Sequence, residues 1–312
     1  MYIFGPIPSR RLGRSLGIDL LKYKTCTLNC IYCECGKTTN LIDQRKSFVP
    51  LKDVLRELDK ALQNKPQIDY ITFSGSGEPT LSTDIGKVIC HIKKNFSEYK
   101  IALLTNGTLL KDKSLRSELI KLDLIIPSVD AISEDIFHKI NCPHKGIKAK
   151  DIVAGIIEFK REFAGEIWLE VFIVPDINDN LNEIKKIKDF CFQLLPSRIQ
   201  INTLDRPAPH NILLSPASYE KLVELKEFLS PLQVDIITYS KRGNDSCRDQ
   251  GSKVLSNEKI INFLKRRPAT TTDLAESLGI KIVEVNKILR TLEKNKIVRF
   301  KDEARGRFYY LF

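Results

Sequence analysis

Residues 26–36 read CTLNCIYCECG and place four cysteines within ten positions of a 312-residue chain that has eight in all. Three residues separate Cys26 from Cys30, two separate Cys30 from Cys33, and Cys35 follows after one more. Disulfides are a poor use for such thiols, because a chain this long needs no staples and a reducing cytosol would not keep them. Structural zinc takes four ligands, usually as two pairs split by a longer loop, and these gaps cannot form two such pairs. A [4Fe–4S] cluster takes one thiolate per iron, so three cysteines leave one iron open to a small molecule. Cys26, Cys30 and Cys33 are the expected ligands. Cys35 is expected to be packed, or a neighbour of the site, without ligating.

Hydrophobic residues make up 42% of the chain and charged residues 29%, the composition of a soluble globular protein. The length suggests one large and one small domain. The opening MYIFGPIPSRRLGRSLGIDL lacks the apolar run of a signal peptide, and no stretch approaches the roughly 18 apolar residues of a membrane span. A cytoplasmic location without membrane contact is expected. Of the net charge of +11, residues 253–312 carry +7, from 14 Lys+Arg against 7 Asp+Glu. Such a tail points to an anionic partner, nucleic acid first, unless it is only a well-solvated surface.

Working outward from the cysteines, short apolar runs alternate with amphipathic stretches. SLGIDL (15–20), IDYITFSG (68–75), KIALLTNG (100–107), LDLIIPSVD (122–130), EIWLEVFIV (166–174), SRIQINTL (197–204) and VDIITYS (234–240) read as buried strands. Segments such as 51–62 and 147–163 carry apolar residues three and four apart, as helices do. Repeated βα units predict an α/β fold with a parallel sheet, an open or closed barrel with its site at the strands' C-terminal ends. Gly75 to Pro79, Thr105 to Gly107, Ser128 to Asp130, and Asn202 with Arg206 gather there. Beyond about residue 250 three short helices and a terminal hairpin around Gly306 predict a winged helix-turn-helix. The expected domains are 1–250 and 251–312.

CTLNCIYC resembles the cluster loop of the radical S-adenosylmethionine (SAM) enzymes, with Tyr32 as the aromatic before the last cysteine. SGSGEPTL (74–81) resembles their Gly-Gly-Glu-Pro loop, with Ser76 where many members have Gly. The resemblance covers roughly residues 10–210 and implies a partial (β/α)6 TIM-like barrel. GPIPSRRLGRSLGIDL is similar, more loosely, to a group related to the enzymes that build the wybutosine precursor on tRNA. The superfamily implies that SAM chelates the open iron through its amino and carboxylate groups. It also implies reductive cleavage to a 5′-deoxyadenosyl radical, with a donor such as flavodoxin or ferredoxin.

By the same resemblance Tyr32, Gly75, Gly77, Glu78, Pro79, Asn106, Ser128 and Asp130 are candidates for cofactor contact, the last two for the ribose or substrate. Asn106 is equally a turn residue. Glu170, Asn202 and Arg206 are the catalytic candidates: a carboxylate inside a strand must be paired if it enters the barrel, and a guanidinium past a strand end suits a carboxylate or phosphate. Ser9, Arg10, Arg11 and Arg14 read as a phosphate-holding patch or a solvated arm. Cys90 is expected in a helix's apolar face, while Cys142, Cys191 and Cys247 show no spacing of a second cluster. Three functions compete: radical chemistry on RNA, tRNA above all, through the basic wing with its Phe308, Tyr309 and Tyr310; the same chemistry on a metabolite, peptide or protein, with the winged helix as lid, dimer contact or docking module; and a cluster-based DNA-binding sensor, which has no need of a Gly-Glu-Pro loop.

Overall fold

The alternating apolar runs form one eight-stranded sheet in a computed structural model that describes residues 2–207, 214–237, 257–265, 267–303 and 305–311. In chain order the elements are β1 (Ile3–Ser9), β2 (Gly13–Ile18), the two-residue strands β3 (Thr25–Cys26) and β4 (Asn40–Leu41), α1 (Leu51–Leu62), β5 (Tyr70–Phe73), α2 (Ile85–Asn95) and β6 (Lys100–Thr105). Then come α3 (Lys113–Leu119), β7 (Leu124–Pro127), α4 (Glu134–Asn141), α5 (Ala149–Glu162), β8 (Glu166–Phe172), α6 (Leu181–Leu194), β9 (Arg198–Asn202), α7 (Tyr219–Phe228) and β10 (Val234–Ile237). The sheet runs β1-β2-β5-β6-β7-β8-β9-β10. β1 is antiparallel to β2 and every other pairing is parallel. This curled, open sheet is the expected partial barrel.

Alternation along the strands sorts the faces. Ile71, Ile101, Leu103, Ile125, Ile167, Ile199 and their neighbours are buried in the main core with Val88, Ile92, Ile156 and Ile187 of the helices. On the other face Leu12 packs with Ala102, Leu124 and Ile126, so the turn between β1 and β2 folds onto the concave side. β1 itself corrects the reading of the N-terminus as an arm. Pro6 and Pro8 hide it from pattern recognition, yet an edge strand tolerates proline because half its backbone is unpaired.

The C-terminal unit comprises α8 (Asn257–Leu264), β11 (Ala269–Thr270), α9 (Thr271–Leu278), α10 (Ile282–Lys294), β12 (Val298–Glu303) and β13 (Gly306–Leu311). Its antiparallel sheet runs β11-β13-β12, and Ile260, Leu274, Val285, Leu289, Leu292 and Tyr309 form its own core. The boundary expected at residue 250 lies outside the described residues. The cap of α9 is Thr270, in a reciprocal pair with Asp273. The terminal hairpin is less open than its sequence suggests. Phe308 and Tyr309 are buried, Arg299 covers Tyr310 at 4.8 Å, and Arg305 turns toward the barrel to pair with Asp205 and Asp273.

Cys90 is exposed, not core, because the buried stripe of α2 is Ile85, Val88, Ile89 and Ile92. Cys191 is core, Cys142 ends α4, and Cys247 lies outside the described residues. Among the described residues no helix is long and apolar enough to cross a membrane.

One buried carboxylate fixes the approach of α4. Glu183, 1% exposed on α6, accepts from Ile132 N, Ser133 N at 2.9 Å and Ser133 Oγ, just where α4 begins. Glu183→Ala leaves those donors unmet and should lower unfolding stability by about 1–3 kcal/mol. A urea midpoint that falls at unchanged slope is the expected result.

Candidate active site

The cysteine loop leaves β2 and is pinned from two sides. Asn29 N and Ile31 N donate to the carbonyls of Asn141 and Ile140 at the end of α4. From the other side Glu78 N donates to Thr25 O at 3.1 Å. That approach explains the glycines after β5. A Cβ at position 77 would stand 1.8 Å from Thr25 O, and one at position 75 would stand 2.3 Å from the Asp19 carboxyl carbon. Asp19 in turn accepts from Ser76 N at 3.2 Å and Ser76 Oγ at 3.3 Å.

Glu78 is fully enclosed and its carboxylate is spent inside the protein. It accepts from Thr80 N at 3.1 Å, Thr80 Oγ1 at 2.6 Å, Thr105 Oγ1 at 2.7 Å and Asn106 N at 2.7 Å. Burial nevertheless pushes its carboxyl above the usual range. Glu78 thus holds the next strand end, and Pro79 begins a buried 3-10 turn beneath it. Asn106, so held, donates to Thr27 Oγ1 at 2.8 Å and to Cys26 Sγ at 3.6 Å.

Each sulfur of the triad faces a nitrogen donor. Cys26 receives Asn106 Nδ2, Cys30 receives Asn141 Nδ2 at 3.4 Å, and Cys33 receives Lys24 Nζ at 3.0 Å. Burial pushes the Cys26 thiol up to about 12 and Cys30 well above its ordinary value. Contact with Cys35, against burial and with help from Lys24, holds Cys33 at about 5. Cys35 Sγ lies 3.8 Å from Gly75 O. Among the described residues no three His, Cys, Asp or Glu side chains converge on one point that a single metal ion would occupy. A cluster asks for something else, one thiolate per iron, together with donors that stabilise sulfur-borne charge. The residues present fit such a group.

Beside the triad lies a cavity of about 70 Å³ lined by Cys30, Tyr32, Asn106, Ser128, Asp130 and Asn141 among others. Tyr32 stacks on Phe172, with ring centroids 3.8 Å apart, and donates its hydroxyl to Asp130. Asp130 also accepts from Asn141 Nδ2 at 2.7 Å and Phe172 N at 2.9 Å. Burial outweighs these bonds and lifts its carboxyl to about 6. Glu170 does enter the barrel and is paired. Arg11 grips both its oxygens, Ser128 Oγ donates at 3.0 Å and Asn202 Nδ2 at 3.2 Å. Arg206 stands apart from that network, donating to Glu34 Oε2 at 2.8 Å. Arg11 and Arg10 lie against carboxylates, Glu170 and Asp205.

Lys24, Asn141 and Glu34 were not among the sequence candidates, whereas Arg11 reads there as part of a phosphate-holding patch or a solvated arm. Lys24 and Glu34 flank the cysteines and carried a readable signal, a charge beside a ligand. Asn141 carried none, since only the packing of α4 brings it to Cys30. Gly77→Ala is expected to break the contact between the two loops, because the obstructing atom is backbone and cannot step aside. Proteolysis between residues 22 and 40 should accelerate at least tenfold, while far-ultraviolet circular dichroism stays unchanged.

The comparisons with known proteins agree with this geometry. The family model described as "Radical SAM superfamily" matches residues 20–191. A protein of Brachyspira hyodysenteriae named GTPase Obg is 38% identical over 95% of this chain, which spans only 43% of that relative's length. A UPF0026 protein of Helicobacter pylori is 30% identical over 99% of this chain and 97% of its own. The crystal structure of a radical SAM methyltransferase from Sphaerobacter thermophilus superposes with a TM-score of 0.57, at 14% identity, over 72% of this chain and 66% of that one, a likeness of fold. On the match over residues 20–191, this chain belongs to the radical SAM superfamily.

Proposed function

We propose that the chain is a radical SAM enzyme acting on RNA, with Cys26, Cys30 and Cys33 holding a [4Fe–4S] cluster. The observation that carries this reading is the set of nitrogen donors aimed one at each sulfur, from Asn106, Asn141 and Lys24. Bound there, the cluster and SAM supply reductive cleavage to a 5′-deoxyadenosyl radical, with an electron drawn from a flavodoxin or ferredoxin. The chain's own part is positioning and exclusion of water. Tyr32 and the backbone of Gly75, Gly77, Glu78 and Pro79 border the SAM methionine end, and Asn106 orients beside Cys26. Ser128 and Asp130 face the ribose or substrate, while Glu170, Asn202 and Arg206 act on the substrate side.

RNA as substrate is supported by the C-terminal unit, read as a winged helix. Lys287, Arg290 and Lys294 are exposed along α10, and Arg299 and Lys301 on β12. Cations at such spacing meet phosphates without reading bases. With Phe308 and Tyr309 buried, the helix rather than the wing carries most of this surface. The second reading, a smaller substrate or a peptide with the winged helix as a docked module, is favoured by the ion pair of Arg305 with the barrel's Asp205.

Anaerobic reconstitution should load about four irons and four sulfides per chain. Cys26→Ala, Cys30→Ala or Cys33→Ala should abolish loading and Cys35→Ala should spare it; a bound zinc, or loss confined to the Cys35 variant, would sink the assignment. Reduced protein should convert SAM to 5′-deoxyadenosine. For the substrate, tRNA affinity of the full chain is measured over a salt series. Replacing Lys287, Arg290 and Lys294 by Ala together should lower the log–log salt slope by about 2–3. An unchanged slope and affinity would turn the assignment to the smaller substrate.

A further inference from the structure

Four arginines and three carboxylates meet where the C-terminal unit rests on the barrel. Arg305 joins Asp205 at 2.5 Å and also Asp273, Arg206 pairs with Glu34 at 2.8 Å, and Arg10 stands 3.1 Å from Asp205. Arg267 completes the group, within the field of Arg206, Glu34 and Asp273. Among the described residues the formal charge is one positive in excess, and adjacent Arg11 is neutralised by Glu170.

Donors are left over as well as charge. Arg206, its side chain only 5% exposed, has a buried Nε without an acceptor, and Nη1 of Arg10 lies 3.1 Å from Asp205 without a well-directed hydrogen bond. Among the described residues no carboxylate pairs with Arg267, whose guanidinium lies over the Phe263 ring at 5.5 Å. Burial, followed by neighbouring Arg206, draws Arg267 down to about 10.

We propose that this junction binds a phosphodiester monoanion through Arg267, Arg206 and Arg10; the assignment rests on RNA being the substrate. One negative charge balances the excess. The three side chains come from the β1–β2 turn, the segment after β9 and the segment before β11, so they approach from different directions. A tetrahedral phosphate can meet such donors, whereas a planar carboxylate suits a single fork. Glu34 lies between Cys33 and Cys35, so a backbone phosphate held here fixes how far the neighbouring nucleotide lies from the cysteine triad.

The test is thermal unfolding of the full chain with dimethyl phosphate, with acetate, or with chloride alone, at equal ionic strength. Dimethyl phosphate at ten times its Kd should raise the midpoint by about 2–4 °C, and acetate should not. Arg267→Gln breaks no ion pair, so its midpoint in chloride should hold or rise while the dimethyl phosphate response disappears; Arg267→Lys should keep part of it. No response in the unaltered chain, an equal response to acetate, or a full response in Arg267→Gln would each overturn the site. A chain that responds to dimethyl phosphate but does not bind tRNA keeps the site and loses the RNA assignment. Binding of tRNA without that response means the reverse.

Discussion

A side chain at position 77 would overlap the Thr25 carbonyl at 1.8 Å, so the loop after β5 lies against the cysteine loop as closely as two backbones can. From that approach the rest of the site is built in short steps. Glu78 N bonds to Thr25 O, the Glu78 carboxylate gathers Thr105 and Asn106, and Asn106 reaches Cys26. A buried carboxylate is costly unless it is fully hydrogen-bonded, and this one has four donors. It is therefore a rigid spacer between strand ends, and its chemistry is exhausted by that task.

The strands β5 to β9 were legible because each is an apolar run of four to seven residues that ends in, or is soon followed by, Gly, Asn or Pro. β1 was not, since Pro6 and Pro8 break the alternation that only its partner β2 restores through pairing. The wing was half legible. Alternation requires that Phe308 and Tyr309 face opposite ways, and Tyr309 joins the unit's own core. Phe308 is buried on the other face, with Arg305 over its ring at 5.3 Å. Nothing local says that the barrel's Asp205 draws Arg305 there.

The ligands of the proposed cluster were legible from spacing, and the partners of those ligands were not. Asn141 belongs to α4 and Asn106 to the loop after β6, so each meets its sulfur only through tertiary packing. Glu170 was readable as a buried carboxylate needing a partner. Its partner, Arg11, sits 159 residues earlier in a turn that reads as a phosphate-holding patch or a solvated arm.

That pairing has a mechanical meaning. An open sheet whose outermost strands are β1 and β10 can splay, and its curvature is set by whatever spans its hollow side. Arg11 spans it, reaching from the turn beside the sheet's first edge to Glu170 on β8, which also holds Asn202 on β9. The hairpin, β8 and β9 are thereby braced to one another like the rim of a bowl with a strut across it. The width of the hollow is then fixed before any ligand arrives, and whatever enters must fit between the strut and the cysteine loop.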